Sequence, residues 1–492
     1  MTSSSHTVVW FRRDLRIRDH AALIAAARRG PVVCVYYLDE ARWSPTSAIA
    51  RQLAGPRVGA FRTRFLIESL AALRTSLREL GADLLIRSGA PSQGLPSLLR
   101  EVGASALHFH ADIGVEEDRE TAAVRDAARA AGVRVEEFWD RTLVPPEDLP
   151  FAVAHTPESF SSFRKKIERD RAYAAPLPAP TQLTTAAGIE PGALPTVTQL
   201  AGVDADDHPD ALVPMHGGEP EAWRRLQRWC WDEDRLKSYK QTRNGMLGGD
   251  YSSRFSAWLA HGCISARSIQ AEVDRYERER TKNESTYWMT FELLWRDYFQ
   301  WITCKHGAAL FRSSGLQGIP VPWDHDESRF ARWSEGQTGF PIVDACMREL
   351  SATGFMSNRG RQIVTSFLTK NLGIDWRWGA EWFERLLIDH DVGSNYGNWN
   401  YGAGVGNDSR GFRYFNLATQ ADKYDRRGAH AQYWCPELRR LAPEYVHAPW
   451  SAPERALADA GVAIGRSYPA PMVDLEKSAA RNRARWERAV MV

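Results

Sequence analysis

Residues 338–350 read TGFPIVDACMREL and residues 353–416 read TGFMSNRGRQIVTSFLTKNLGIDWRWGAEWFERLLIDHDVGSNYGNWNYGAGVGNDSRGFRYFN. Apolar residues recur through both segments at helical spacing. Polar groups nevertheless stand where a plain helix pair would carry Leu. Asn358, Arg359 and Arg361 come first, then Asp389 and Asp391 on either side of a His. Asn395, Asn398, Asn400 and Asn407 follow among Gly397, Gly402, Gly404 and Gly406, with Trp376, Trp378, Trp382 and Trp399 interspersed. A buried polar group without a partner costs about 1–3 kcal/mol. So many of them on apolar helices point either to a large polar ligand held inside a helical domain or to a network of structural salt bridges.

Outward from this stretch, the chain of 492 residues is long enough for two or three domains. Its net charge of +2 means that any contact with nucleic acid must come from a local basic patch. Nineteen Trp are an excess that either packs a core or serves stacking and electron transfer. Six Cys (34, 230, 263, 304, 346 and 435) are scattered with no C-x-x-C pair, which fits reduced thiols and gives no thiolate metal site. No metal is expected. MTSSSH enters a strand pattern with no basic segment and apolar core of a signal peptide, and no apolar run is long enough to span a membrane. A soluble, cytoplasmic protein is the expectation.

The N-terminal part alternates strand and helix. Residues 7–11, 31–38, 83–87, 106–110 and 134–138 read as strands, with helices over 21–29, 58–80, 92–102 and 117–131. That alternation predicts a doubly wound parallel sheet. Its first strand-to-helix turn, RRDLRIRDH, has no glycine, and the chain has neither G-x-G-x-x-G nor a P-loop lysine after glycine. Arg12, Arg13, Arg16 and Arg18 with Asp14 and Asp19 read as domain-interface salt bridges, and Glu116, Glu117 and Asp118 suit a helix N-terminus. Residues 176–198, rich in Pro, Ala and Thr, read as linker or surface loop. From Pro220 onward the pattern is helical. Three units are expected: an α/β domain over 1–140, a long linker over 141–215 and an all-α domain over 216–492. Ser252, Ser253 and Ser256 open an apolar helix, as an N-cap or as an anion site. Glu292, Trp295, Arg296 and Phe299 recur at helical spacing.

TGFPIVDACMREL, SNRGRQ, IDWRWGAEWFE and DHDVGSNYGNWNY, with WFRRDLRIRDH at the N-terminus and WCPELRRLAPEYVHAPW near the C-terminus, resemble the photolyase/cryptochrome family and its DASH branch. The resemblance implies an FAD held by Tyr239, Ser252, Ser253, Arg254, Phe255 and Ser256 around the pyrophosphate. It implies Arg296, Arg361, Asp389 and Asp391 around the ring, with Arg361 paired to Asp389 and Asn395 opposite N5. It also implies a pocket for a flipped-out pyrimidine dimer, with Glu292 on the base edge, Trp295 stacking, and Asn358, Gln362 and Tyr401 completing the lining. Trp399, Trp376 and Trp333 match an electron relay from flavin to surface, or are core packing. Glu117 matches a contact to a 5,10-methenyltetrahydrofolate antenna. Arg359, Arg410 and Arg413, among other Arg and Lys, would form a basic rim for DNA, or are solvated surface.

Tyr401 stands where duplex-repair relatives carry Trp, and Gln362 replaces an apolar residue, so the resemblance implies repair of cyclobutane dimers in single-stranded DNA by a monomer. Extrusion from a duplex costs a few kcal/mol that weaker stacking does not repay. Ser357, Asn358 and Gln362 offer no His acid for the (6-4) reaction. No long tail follows the closing segment, which favours an enzyme. A blue-light photoreceptor signalling through FAD photoreduction is the alternative, and a flavin-free structural nucleic-acid binder is a third.

Overall fold

The computed structural model describes residues 6–491 except Ala54, Arg171, Ala172, Ala187 and Ser409. Strands β1 (His6–Phe11), β2 (Val32–Leu38), β3 (Leu84–Ser88), β4 (Ala104–His110) and β5 (Arg134–Phe138) form one sheet in the order β3-β2-β1-β4-β5. Every pairing is parallel. β2, VVCVYYL, is buried along its whole length, as a strand covered by helices on both faces must be. The strand order reverses between β1 and β4, which opens a crevice beyond their C-terminal ends.

The RRDLRIRDH turn lies there, and its charges divide. Arg12 and Arg13 stay within the α/β half, on Glu120 (2.8 Å) and Glu117 (2.8 Å). Arg16 and Asp19 face the helical half, through Gly262 O (2.9 Å) and Arg267 (2.9 Å). Asp14, His20 and His110 form a buried cluster close enough to hold a metal ion. His20 Nδ1 accepts from Leu23 N (3.0 Å), so its proton sits on Nε2, facing Asp14 at 2.9 Å. That tautomer caps a helix and has no lone pair left for a metal.

The Pro-rich stretch is pinned rather than loose. Val32 N donates to Thr184 O (2.7 Å), Leu183 N to Leu80 O (2.7 Å) and Ile86 N to Pro191 O (2.7 Å). Proline prevents the stretch from being a strand, but its Pro191 carbonyl takes up an N–H on the outer edge of β3. The expected linker also contains a helix, Phe160–Ile167, whose buried Phe160, Phe163 and Ile167 pack on the helical half.

The spine of that half is helix Glu284–His306, started by an Asn283/Thr286 capping box. Its Asp297 is fully buried and accepts from Leu143 N and Val144 N (both 3.0 Å), so it fixes the chain as it leaves the sheet. Helix Val392–Ala403 packs against the spine at close range. A Cβ on Gly397 would lie 2.3 Å from the Phe299 ring, so glycine there sets the approach. Among the described residues no helix is long and apolar enough to cross a membrane.

Candidate functional site

A cavity of about 540 Å³ lies between helices Ser256–His261, Glu284–His306, Asn358–Ser366 and Val392–Ala403. Tyr239, Ser252, Ser253, Arg254, Phe255, Ser256, Arg296, Arg361, Asp389, Asp391 and Asn395 all line it. So do Glu292, Trp295, Asn358, Gln362, Trp399, Tyr401, Arg359, Arg410 and Arg413. Trp376, Trp333 and Glu117 do not.

One end is ion-paired. Asp389 accepts two bonds from Arg361 Nη2 (2.8 and 3.0 Å) and one from Ser256 Oγ (2.6 Å). Ser256, placed by sequence at an anion, is thus engaged by a carboxylate, and Ser252 and Ser253 precede its helix. Asp391 caps helix Val392–Ala403 through Ser394 N (2.8 Å), and accepts from Arg141 (2.6 Å) and Gln300 (2.6 Å). Burial opposes its ionisation, but Arg141 and Arg296 hold it well below the usual carboxylate range. Arg296 itself donates to Arg141 O. Asn395 Nδ2 donates to Ala380 O (3.0 Å), which leaves the amide oxygen as the acceptor this residue has to offer.

The serine loop is shaped by Arg225 and Arg254. Arg225, buried, gathers the carbonyls of Gly249 (3.1 Å), Ser252 (2.9 Å) and Ser253 (3.0 Å). Arg254 holds φ at +59°, a left-handed conformation that a non-glycine residue keeps only when its surroundings enforce it. Arg225 could have been found in the sequence, as a charge on the apolar face of Ala222, Leu226 and Trp229.

The other end is aromatic. Glu292 Oε1 takes Arg243 (2.7 Å) and Trp288 Nε1 (3.1 Å). Burial raises its pKa and Arg243 opposes the rise. Trp295 meets Tyr401 edge-on at 6.0 Å. Arg410 donates to Tyr401 Oη (2.6 Å) and pairs with Asp408 (2.9 Å), while Arg413 lies 3.8 Å from Asp408. Arg359 donates to Asn244 (3.1 Å) and covers the Tyr424 ring at 4.2 Å. The rim cations are therefore partly compensated. Gln362 Oε1 and Trp399 Nε1 are buried atoms of residues that line the cavity, and have no hydrogen-bond partner among the described residues. Such atoms, with the ion-paired end, fit a polar ring system set among aromatic residues.

The tryptophans need one correction. Trp333, expected at the surface end of a relay, is fully buried, and its indole donates to Val364 O (3.2 Å). It lies 6.3 Å from Trp399. Trp376 is buried and donates to Ser313 O (3.1 Å), and half-buried Trp323 donates to the same carbonyl (3.0 Å). The two indoles therefore lie side by side, and Trp323 is the one that reaches the surface. Its neighbours in PVPWDHD carry no periodic signal, so the sequence reading passed over it.

A second cavity, of about 360 Å³, opens at the sheet crevice and is lined by Glu117. Glu117 pairs with Arg13 (2.8 Å), and burial raises its carboxyl pKa. Arg62 also lines this cavity; it is buried, among the described residues donates only a long bond to Arg57 O (3.4 Å), and burial lowers its pKa to about 10. Ala260 and His390 line both cavities.

Residues 7–181 match the family described as DNA photolyase, and residues 288–488 match the FAD binding domain of DNA photolyase. The chain is 50% identical over 487 residues to cryptochrome DASH of Gloeobacter violaceus, covering 99% of this chain and 97% of that protein. The crystal structure of a Synechocystis sp. PCC6803 cryptochrome superposes with a TM-score of 0.94 at 43% identity, covering 98% of this chain and 100% of that one. A bacterial class III photolyase from Agrobacterium tumefaciens superposes at 0.87 with 30% identity, covering 100% and 99%. Fold and site together define a two-part flavoprotein with an α/β half and a helical FAD-binding half. The chain belongs to the photolyase/cryptochrome family, in its DASH branch.

Proposed function

We propose that this protein is a light-driven lyase that reverses cyclobutane pyrimidine dimers in single-stranded DNA, with FAD as its cofactor. The observation that carries this reading is the division of one cavity into an ion-paired end and an aromatic end, with Glu292 at the aromatic end between Arg243 and Trp288. When bound, FAD supplies the light-absorbing electron donor. Arg361 and Asp389 would hold its polar ring, Ser252, Ser253 and Arg254 its phosphates, and the Asn395 amide oxygen offers an acceptor to a ring N–H. Trp295 and Tyr401 offer the dimer two aromatic walls, and stacking contributes about 1–3 kcal/mol per base. Burial raises the Glu292 pKa against the pull of Arg243, and its carboxyl stands at the aromatic end where a base edge would meet it. Trp399, Trp376 and Trp323 supply a path for electrons between cavity and solvent. The second cavity, with Glu117 facing a ring N–H and Arg62 free to meet an anionic group, would seat the folate antenna.

The test is repair of irradiated oligo(dT), single-stranded and in duplex, by reduced protein in blue light and in the dark. Repair confined to light and to the single strand is the expected result, and equal repair of the duplex overturns the strand preference. A protein that binds and photoreduces FAD yet repairs neither strand is a photoreceptor, the reading that the Trp path alone would favour.

A further inference from the structure

The turn leading into helix Phe160–Ile167 touches the Trp295 wall of the aromatic end and is tied to the segment that carries the other. Phe160 lies flat on Trp295, with ring centroids 3.7 Å apart and planes 14° from parallel. It also meets Phe291 edge-on at 5.1 Å. One face of Trp295 is therefore covered, and its plane is fixed from behind. Two residues earlier, Glu158 ties the spine helix to the segment that follows helix Val392–Ala403. Its carboxylate takes Lys305 (2.5 Å) and His306 (3.2 Å) from the spine. The same carboxylate accepts from Asn407 Nδ2 (2.7 Å), and its backbone carbonyl accepts from Asn407 (2.8 Å) and from the Tyr298 hydroxyl. Three residues beyond Asn407, Arg410 holds the Tyr401 hydroxyl.

We propose that the Glu158–Phe160 turn is a clasp that sets the edge-on arrangement of the Trp295 and Tyr401 walls, and thereby sets how strongly the cavity prefers a dimer over undamaged bases. This rests on the reading of the cavity as the seat of a flipped-out dimer. Single ion pairs at an exposed carboxylate are weak. Here they act together, on the spine helix and on Asn407, which stands 249 positions from Glu158 in the sequence. Holding both walls before the ligand arrives removes an ordering cost that binding would otherwise bear.

Phe160→Leu, Phe160→Tyr and Glu158→Gln test the clasp. FAD content, dark affinity for dimer-containing and undamaged oligo(dT), and amide exchange over residues 404–416 are measured in each. Phe160→Leu should keep its FAD but lose about threefold to tenfold of its preference for the damaged strand, the scale of one aromatic stack. Phe160→Tyr, which keeps the ring, should retain the preference, and Glu158→Gln should exchange faster over 404–416. An unchanged preference in Phe160→Leu overturns the proposal. If that variant fails to hold FAD, the preference of Glu158→Gln decides in its place, a reduced preference supporting the clasp and an unchanged one overturning it. If the wild type itself does not prefer the damaged strand, the dimer reading falls, and exchange in Glu158→Gln alone judges the clasp: faster supports it, unchanged overturns it.

Discussion

Asp389 and Asp391 stand two positions apart and serve different neighbours. Asp389 is held by Arg361 and Ser256 within the helical half, whereas Asp391 receives Arg141 from the chain leaving β5. Arg361→Met should weaken FAD binding by about tenfold to hundredfold, the loss of charge-assisted bonds worth about 1.5–3 kcal/mol. Flavin titration of the apoprotein measures it; an unchanged affinity would show that Arg361 supports Asp389 and nothing more. The tryptophans give a sharper contrast. Trp323→Phe and Trp376→Phe should each slow photoreduction of oxidised FAD, while Trp333→Phe should stay close to wild type because its ring does not reach solvent. A slow Trp333→Phe beside a normal Trp323→Phe would restore Trp333 to the exit. The Arg361–Asp389 pair was legible from family motifs. The Arg141–Asp391 pair was not, because no local pattern links residues 250 positions apart.

Among the elements, the spine helix carries a large electrostatic liability. Burial pushes the Asp297 carboxyl up to about 7, with two backbone N–H donors and Arg296 only partly offsetting it. A carboxyl whose folded pKa is raised favours folding while both states are protonated, and loses that contribution as pH climbs from about 4 through about 7. Asp297→Asn should therefore gain stability on the wild type between pH 5 and pH 8, by at most about 4 kcal/mol. Urea melts at the two pH values check it, and parallel curves would mean that Asp297 is better solvated than its burial implies. The five strands were legible because β2 is apolar throughout and turns punctuate each helix. Helix Phe160–Ile167 was not, since eight residues between Ser159 and Glu168 are too short for periodicity to separate a helix from a linker. What the helix packs against, the aromatic face of the spine, is visible only in three dimensions.

At the scale of the molecule, the net charge of +2 and the pairing of rim arginines with Asp408 set a modest hold on DNA. Three rim cations imply a slope of log K against log salt on the order of −2 for single strands. Binding of undamaged oligo(dT) between 50 and 200 mM salt tests this, and a slope much steeper than that would place the DNA on a larger basic surface than Arg359, Arg410 and Arg413. The two cavities, by contrast, are not independent chambers. Ala260 and His390 stand in both linings, so a single course of side chains is their party wall. A substitution at either residue reshapes both rooms, so whatever stiffens the wall for one tenant alters the lease of its neighbour. By linkage, any effect that an occupant of one has on the dissociation constant of an occupant of the other is returned by the same factor. Residues 260 and 390 are therefore the positions at which a change of occupant in one room would be felt in the other.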